Sequence, residues 1–125
     1  MTVTRHYVLA AGGTGGHVIP AFALGVELMQ RGHHVALVTD DRGMKIPGCP
    51  EGMARHILPA GRGGGGPRGW LAAARNIAAG RGMARQLNAH FRPSCVVGFG
   101  GYPALPTLLA AFADDVPTVI HEQNA

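Results

Sequence analysis

Apolar residues stand side by side, rather than alternating with polar ones, in three short runs of this sequence: residues 7–11 (YVLAA), 35–38 (VALV) and 94–98 (SCVVG). A strand with one face in water alternates, whereas a strand covered on both faces does not. The runs therefore predict a sheet with helices on both sides, an α/β fold. The segments between them fit that layout. Ile19, Phe22, Ala23, Val26 and Met29 recur at helical spacing, and Gly32 follows as a stop. Residues 70–91 are helical in pattern, with Gly80 and Gly82 weakening the middle. Residues 105–112 predict a short helix, Ile57 and Leu58 a weaker third strand, and residues 118–120 (TVI) a last strand. Residues 62–69 are glycine-rich and read as a mobile loop. The expected order is β-α-β-(α)-β-α-β-α-β. Crossovers of this length make the sheet parallel, and 125 residues fit one domain.

In such a sheet, ligands bind beyond the carboxyl ends of the strands. Three segments fall there: residues 12–17 (GGTGGH), 99–102 (FGGY) and 121–124 (HEQN). In the first, glycines let the backbone approach a ligand. The amides at the helix start carry about half a positive charge, which favours a phosphate. A tight strand-to-helix turn is the plainer reading, but GGTGG is longer than a turn needs. The dinucleotide fingerprint fails, because its third glycine position holds Val18, and no Lys-Ser/Thr pair completes a Walker loop. A nicotinamide dehydrogenase with Asp40 or Asp41 on a ribose is disfavoured by the same spacing.

His17 stands at the positive end of the predicted helix. That environment favours a neutral imidazole, which can serve as a general base; a structural histidine at a helix terminus is the other reading. Gly98-Phe99-Gly100-Gly101-Tyr102 repeats the strand-to-glycine-turn pattern, and two such loops on one edge suit a diphosphate or two charged ligands. His121-Glu122-Gln123-Asn124 is either a surface turn or the polar floor of a cleft. It is not HExxH, and Cys49 and Cys95 lack metal spacing, so neither zinc nor a disulfide framework is expected.

Net charge is +4, but it is unevenly placed. Residues 52–113 hold seven arginines (55, 62, 68, 75, 81, 85 and 92) and no acid. Such a block implies an anionic partner, whether nucleic acid, phospholipid or a phosphorylated substrate, or else a solvated helix face. Trp70 and Leu71, flanked by Arg68 and Arg75, suit a membrane interface, although Trp70 in the core would explain the pair equally well. The longest nearly apolar stretch, residues 103–113, falls far short of the ~20 residues of a membrane span. No signal-peptide pattern opens the chain, and a reduced cytosolic compartment is expected. A non-enzymatic anion-binding module for nucleic acid or an anionic membrane is the alternative reading. The basic stretch lacks the interleaved aromatics that nucleic acid would favour.

Taken together, LAAGGTGGHVIPAFALGVELMQRGHHV, VVGFGGYPALPTLLAA and PTVIHEQNA resemble the N-terminal half of the MurG-type glycosyltransferases of family 28. The resemblance implies a GT-B architecture, with residues 1–125 as a Rossmann-like, acceptor-binding N-terminal domain. It also implies a truncated chain whose C-terminal donor-binding domain is absent and which is inactive alone. The implied reaction moves GlcNAc from UDP-GlcNAc to the 4-hydroxyl of MurNAc in lipid I. It gives lipid II for peptidoglycan, with inversion and without cofactor or metal. By resemblance, His17 is the candidate base. Thr14, Gly15, Gly16 and Asn124 reach the donor; Gly13, Gly100, Gly101, Tyr102 and Glu122 serve the acceptor. Trp70, Leu71, Arg68 and Arg75 meet anionic lipids at the cytoplasmic face of the inner membrane, and nucleic acid is not a partner. One departure stands out: Pro103-Ala104-Leu105-Pro106 follows the second loop, where the family carries a small-residue, glycine-containing run.

Overall fold

The computed structural model describes residues 3–58 and 66–122. The elements run β1 (His6–Ala11), α1 (Gly15–Gln30), β2 (His34–Thr39), α2 (Asp41–Met44), β3 (Ala54–Ile57), α3 (Gly66–Phe91), β4 (Cys95–Gly100), α4 (Ala104–Ala113) and β5 (Thr118–Ile120). The strands form one sheet in the order β3-β2-β1-β4-β5, and every pair is parallel. The three apolar runs become its three central strands. Leu9, Ala11, Val35, Leu37, Val97 and Phe99 face α1. Val8, Ala10, Val38 and Val96 face the side covered by α3 and α4. Both faces are thus apolar, which is why these strands do not alternate.

α1 forms where expected, but its inward face differs from the apolar positions named above. Val18, Ala21, Phe22 and Gly25 are buried, whereas Ile19 and Val26 are exposed. The helix is apolar nearly all round, so periodicity alone does not mark one face. Small residues decide it: the Met53 side chain occupies the space a side chain on Gly25 would need.

The third strand spans Ala54–Ile57, and Leu58 lies just beyond it as a buried residue. All four strand residues are exposed, so this edge strand has no continuous apolar run to betray it. α3 begins at Gly66 rather than Trp70, so residues 66–69 of the expected loop are helical. Pro67 is suited to the first helical turn, where no N–H is required. The rest of that loop, including Arg62, lies outside the described residues.

α3 is continuous through Gly80 and Gly82. Gly80 sits where α3 meets α4: a Cβ there would lie 3.2 Å from Pro106 Cβ. The departure at residues 103–106 is therefore a packing arrangement. Pro106 meets Gly80, and Pro103 meets Gly12.

At the carboxyl end of the sheet, Ala10 pairs with Gly98 but Ala11 with Gly100. Phe99 is thus an extra residue, a bulge that shifts the end of β4. Bulges of this kind re-aim chains beside functional sites.

Candidate functional site

The turn after β1 is built around Thr14, the N-cap of α1. Its backbone is extended (φ −125°, ψ 161°), and its carbonyl accepts from the His17 and Val18 amides. The Thr14 side chain makes no capping bond, so its hydroxyl is not committed to the helix. Among the described residues, the amides of Gly15 and Gly16 have no acceptor. They are the donors a helix start leaves open. Gly13 is held differently from Gly15 and Gly16. Its amide donates to Asp40 Oδ1 at 3.1 Å and is not open to a ligand.

The turn after β4 lies against this first turn. Gly100 and Gly101 have φ of 110° and 80°. A Cβ on Gly101 would overlap the Gly12 carbonyl, and one on Gly100 would sit 2.9 Å from His17 Nε2. The imidazole therefore stands between the two glycine turns. His17 Nδ1 lies 3.0 Å from the Gly12 carbonyl oxygen. A carbonyl can only accept, so Nδ1 carries the proton and Nε2 is left as the basic nitrogen.

The cleft bordered by these turns measures about 450 Å³, within the range of small-ligand sites. Gly12, Gly13, Thr14, His17, Gly101 and Tyr102 line it, joined by Asp40, Asp41 and Arg42. From sequence, Asp40 and Asp41 entered only as ribose contacts of the disfavoured dehydrogenase and Arg42 not at all, although all three directly follow β2 and so lie beyond a strand's carboxyl end like the rest. Asp40 is 6% exposed and spends one oxygen on two amides, Gly13 at 3.1 Å and Gly43 at 2.7 Å.

The third polar segment reaches the same edge. The His121 amide donates to the Gly98 carbonyl, and its ring packs on Phe99 at 5.3 Å. Glu122 follows on the surface. Asn124 lies outside the described residues. Trp70 is 80% exposed, which removes the core alternative, and Leu71, Arg68 and Arg75 are exposed on the same helix. Among the described residues the ion pairs are Arg31–Glu27 and Arg85–Asp114, so neither Arg68 nor Arg75 is drawn into one.

A second hollow of about 560 Å³ lies at the amino-terminal edge, lined by Arg85, Asn88, Arg92 and Asp114. Its carboxylate already takes bonds from Arg85 and Asn88. Cys95 opens β4 at that end, and burial pushes its thiol up from the ordinary value of 9.0.

A parallel five-stranded sheet with a glycine turn leading into α1 and a cleft on its carboxyl edge is the N-terminal-domain architecture of GT-B glycosyltransferases. The chain belongs to glycosyltransferase family 28, whose N-terminal domain matches residues 7–125. It is 68% identical over 124 residues to the UDP-N-acetylglucosamine--N-acetylmuramyl-(pentapeptide) pyrophosphoryl-undecaprenol N-acetylglucosamine transferase of Novosphingobium aromaticivorans, covering 99% of this chain and 32% of that protein. The protein of the same name from Sphingopyxis alaskensis is 64% identical over 125 residues, with 100% and 32% covered. Among solved structures, MurG of Acinetobacter baumannii aligns with a TM-score of 0.80 at 34% identity, over 97% of this chain and 36% of that one. The chain thus spans about a third of the length of the curated relatives it matches.

Proposed function

We propose that this chain is the acceptor-side domain of an inverting transferase that moves GlcNAc from UDP-GlcNAc to the 4-hydroxyl of MurNAc in lipid I, giving lipid II. The observation that carries the reading is His17 standing between two glycine turns with its basic nitrogen uncommitted. The relatives' names and identities support it. In the transfer, the 4-hydroxyl oxygen attacks the anomeric carbon from the face opposite UDP. The new C–O bond forms as the bond to the phosphate oxygen breaks, and UDP leaves with that electron pair. The hydroxyl proton passes to His17 Nε2. The Thr14 hydroxyl and the Gly15 and Gly16 amides face the donor. Gly100, Gly101 and Tyr102 flank the pyrophosphate of the acceptor, with Glu122 at the rim. Asn124 is assigned to the donor by resemblance alone. Most stabilisation of the leaving UDP falls to the two-thirds of the relatives that this chain does not span.

The test is GlcNAc transfer to a lipid I analogue. The 125-residue chain alone should turn over negligibly, because stabilising developing charge is usually the largest part of such catalysis. Robust transfer by the chain alone would sink the division of labour. In an intact transferase carrying this domain, His17→Ala should lower kcat by ~10²–10⁴-fold, the usual worth of a general base. Near-normal turnover would remove that role.

The same reading puts the domain at the cytoplasmic face of a membrane, held by Trp70, Leu71, Arg68 and Arg75. No helix among the described residues is long and apolar enough to cross a bilayer, so the contact proposed is peripheral.

A further inference from the structure

His17 and Asp40 make no direct bond, yet they hold opposite ends of one peptide group. The carbonyl of the Gly12–Gly13 peptide accepts from His17 Nδ1 at 3.0 Å. The N–H of that same peptide donates to Asp40 Oδ1 at 3.1 Å. A carboxylate pulling on an amide N–H drives electron density toward the amide oxygen, and hydrogen bonds in such a chain strengthen one another. The arrangement is partly buried: Asp40 is 6% exposed, and a Cβ on Gly12 would lie 2.6 Å from Pro103 Cδ and 2.9 Å from Asp40 Cγ. Only glycine at residue 12 lets the carboxylate come this close. The Gly12 oxygen also accepts from the Thr14 amide at 3.0 Å, which fills its second lone pair and leaves no place for a competing donor.

We propose that Asp40 is a positioning residue for His17, acting through the Gly12–Gly13 peptide to hold the imidazole in the Nδ1–H tautomer with Nε2 bare beside the second glycine turn. The consequence for transfer rests on the reading of His17 as the base; the tautomer itself does not. Asp40 has a second task, capping α2 through the Gly43 amide at 2.7 Å. The two tasks separate in Asp40→Asn. Asparagine caps helices as well as aspartate does, and it keeps an acceptor oxygen, but it lacks the charge that polarises the peptide.

The experiment is long-range ¹H–¹⁵N NMR of the histidine rings in the 125-residue chain, at a pH where the rings are neutral, with His17 assigned from the signal lost in His17→Gln. The unsubstituted chain should show His17 as the Nδ1–H form. Asp40→Asn should lower the ratio of Nδ1–H to Nε2–H forms about 1.2- to 2-fold, the cooperative share, roughly 10–30%, of one hydrogen bond. Asp40→Ala should lower it at least as far. An unchanged ratio in Asp40→Asn, with backbone amide dispersion intact, would overturn the proposal, and that variant decides the matter even if Asp40→Ala does not fold. Failure of the base reading looks different. There, His17→Ala would leave turnover of the intact transferase whole while the tautomer still shifts in Asp40→Asn.

Discussion

Gly101 is held to glycine by two constraints that add. Its φ of 80° lies in the left-handed region, and a side chain would run into the Gly12 carbonyl. The obstacle is backbone, so no rotamer change relieves it. Gly101→Ala is expected to cost about 2–4 kcal/mol, strain and displaced main chain together. Urea unfolding of the variant measures it, and a loss under ~0.5 kcal/mol would mean that the two turns do not meet as described. Gly100 is constrained by a side chain instead, the His17 ring. Residue identities near the cleft were partly legible beforehand. The glycines and His17 announce themselves by composition and by following a strand. Asp40 does not, because an acid after a buried strand is an ordinary helix cap. Only the distance to Gly13 shows that it also grips the first turn.

Between elements, legibility followed burial. β1, β2 and β4 are covered on both faces, so their apolar runs marked them. β3 is an exposed edge and β5 is three residues long, so neither carries a strong pattern. The α3–α4 contact was hidden for another reason: its signature is a glycine facing a proline, which reads as two helix defects in sequence. That contact makes a paired prediction. Gly82 has open space where a Cβ would go, so Gly82→Ala should stabilise the chain by about 0.5–1 kcal/mol through helix propensity. Gly80 meets Pro106 and Leu58 at 3.2–3.6 Å, so Gly80→Leu must push α4 away. A loss of about 1–3 kcal/mol is expected, in line with overpacked cores. Equal effects at the two sites, measured by thermal or urea unfolding, would show that the helices do not pack through Gly80.

At the scale of the whole domain, the membrane contact proposed above turns on which surface would make it. In this parallel layout each helix runs back from the carboxyl edge, so the first turns of α3, bearing Trp70 and Leu71, lie toward the end that carries the cleft. Docking there would bring the glycine turns toward lipid headgroups. A rival surface exists on α4, where Leu105, Leu109 and Phe112 recur at helical spacing and are exposed. Charge separates the two, since the first turns of α3 carry Arg68 and Arg75 while α4 carries no basic residue. Each arginine near an anionic surface is worth about 1 kcal/mol, or roughly fivefold in partitioning. Vesicles containing anionic lipid should therefore bind Arg68→Gln and Arg75→Gln each roughly fivefold more weakly than the unsubstituted chain. Paired Trp70→Ser and Leu71→Ser substitutions should weaken binding further. Trp70 is 80% exposed, so its replacement should leave stability within about 0.5 kcal/mol, and lost binding cannot be laid to unfolding. Leu109→Ser with Phe112→Ser is the control: if that pair weakens vesicle binding while the α3 substitutions do not, α4 is the membrane face and the cleft does not approach the lipid by way of Trp70.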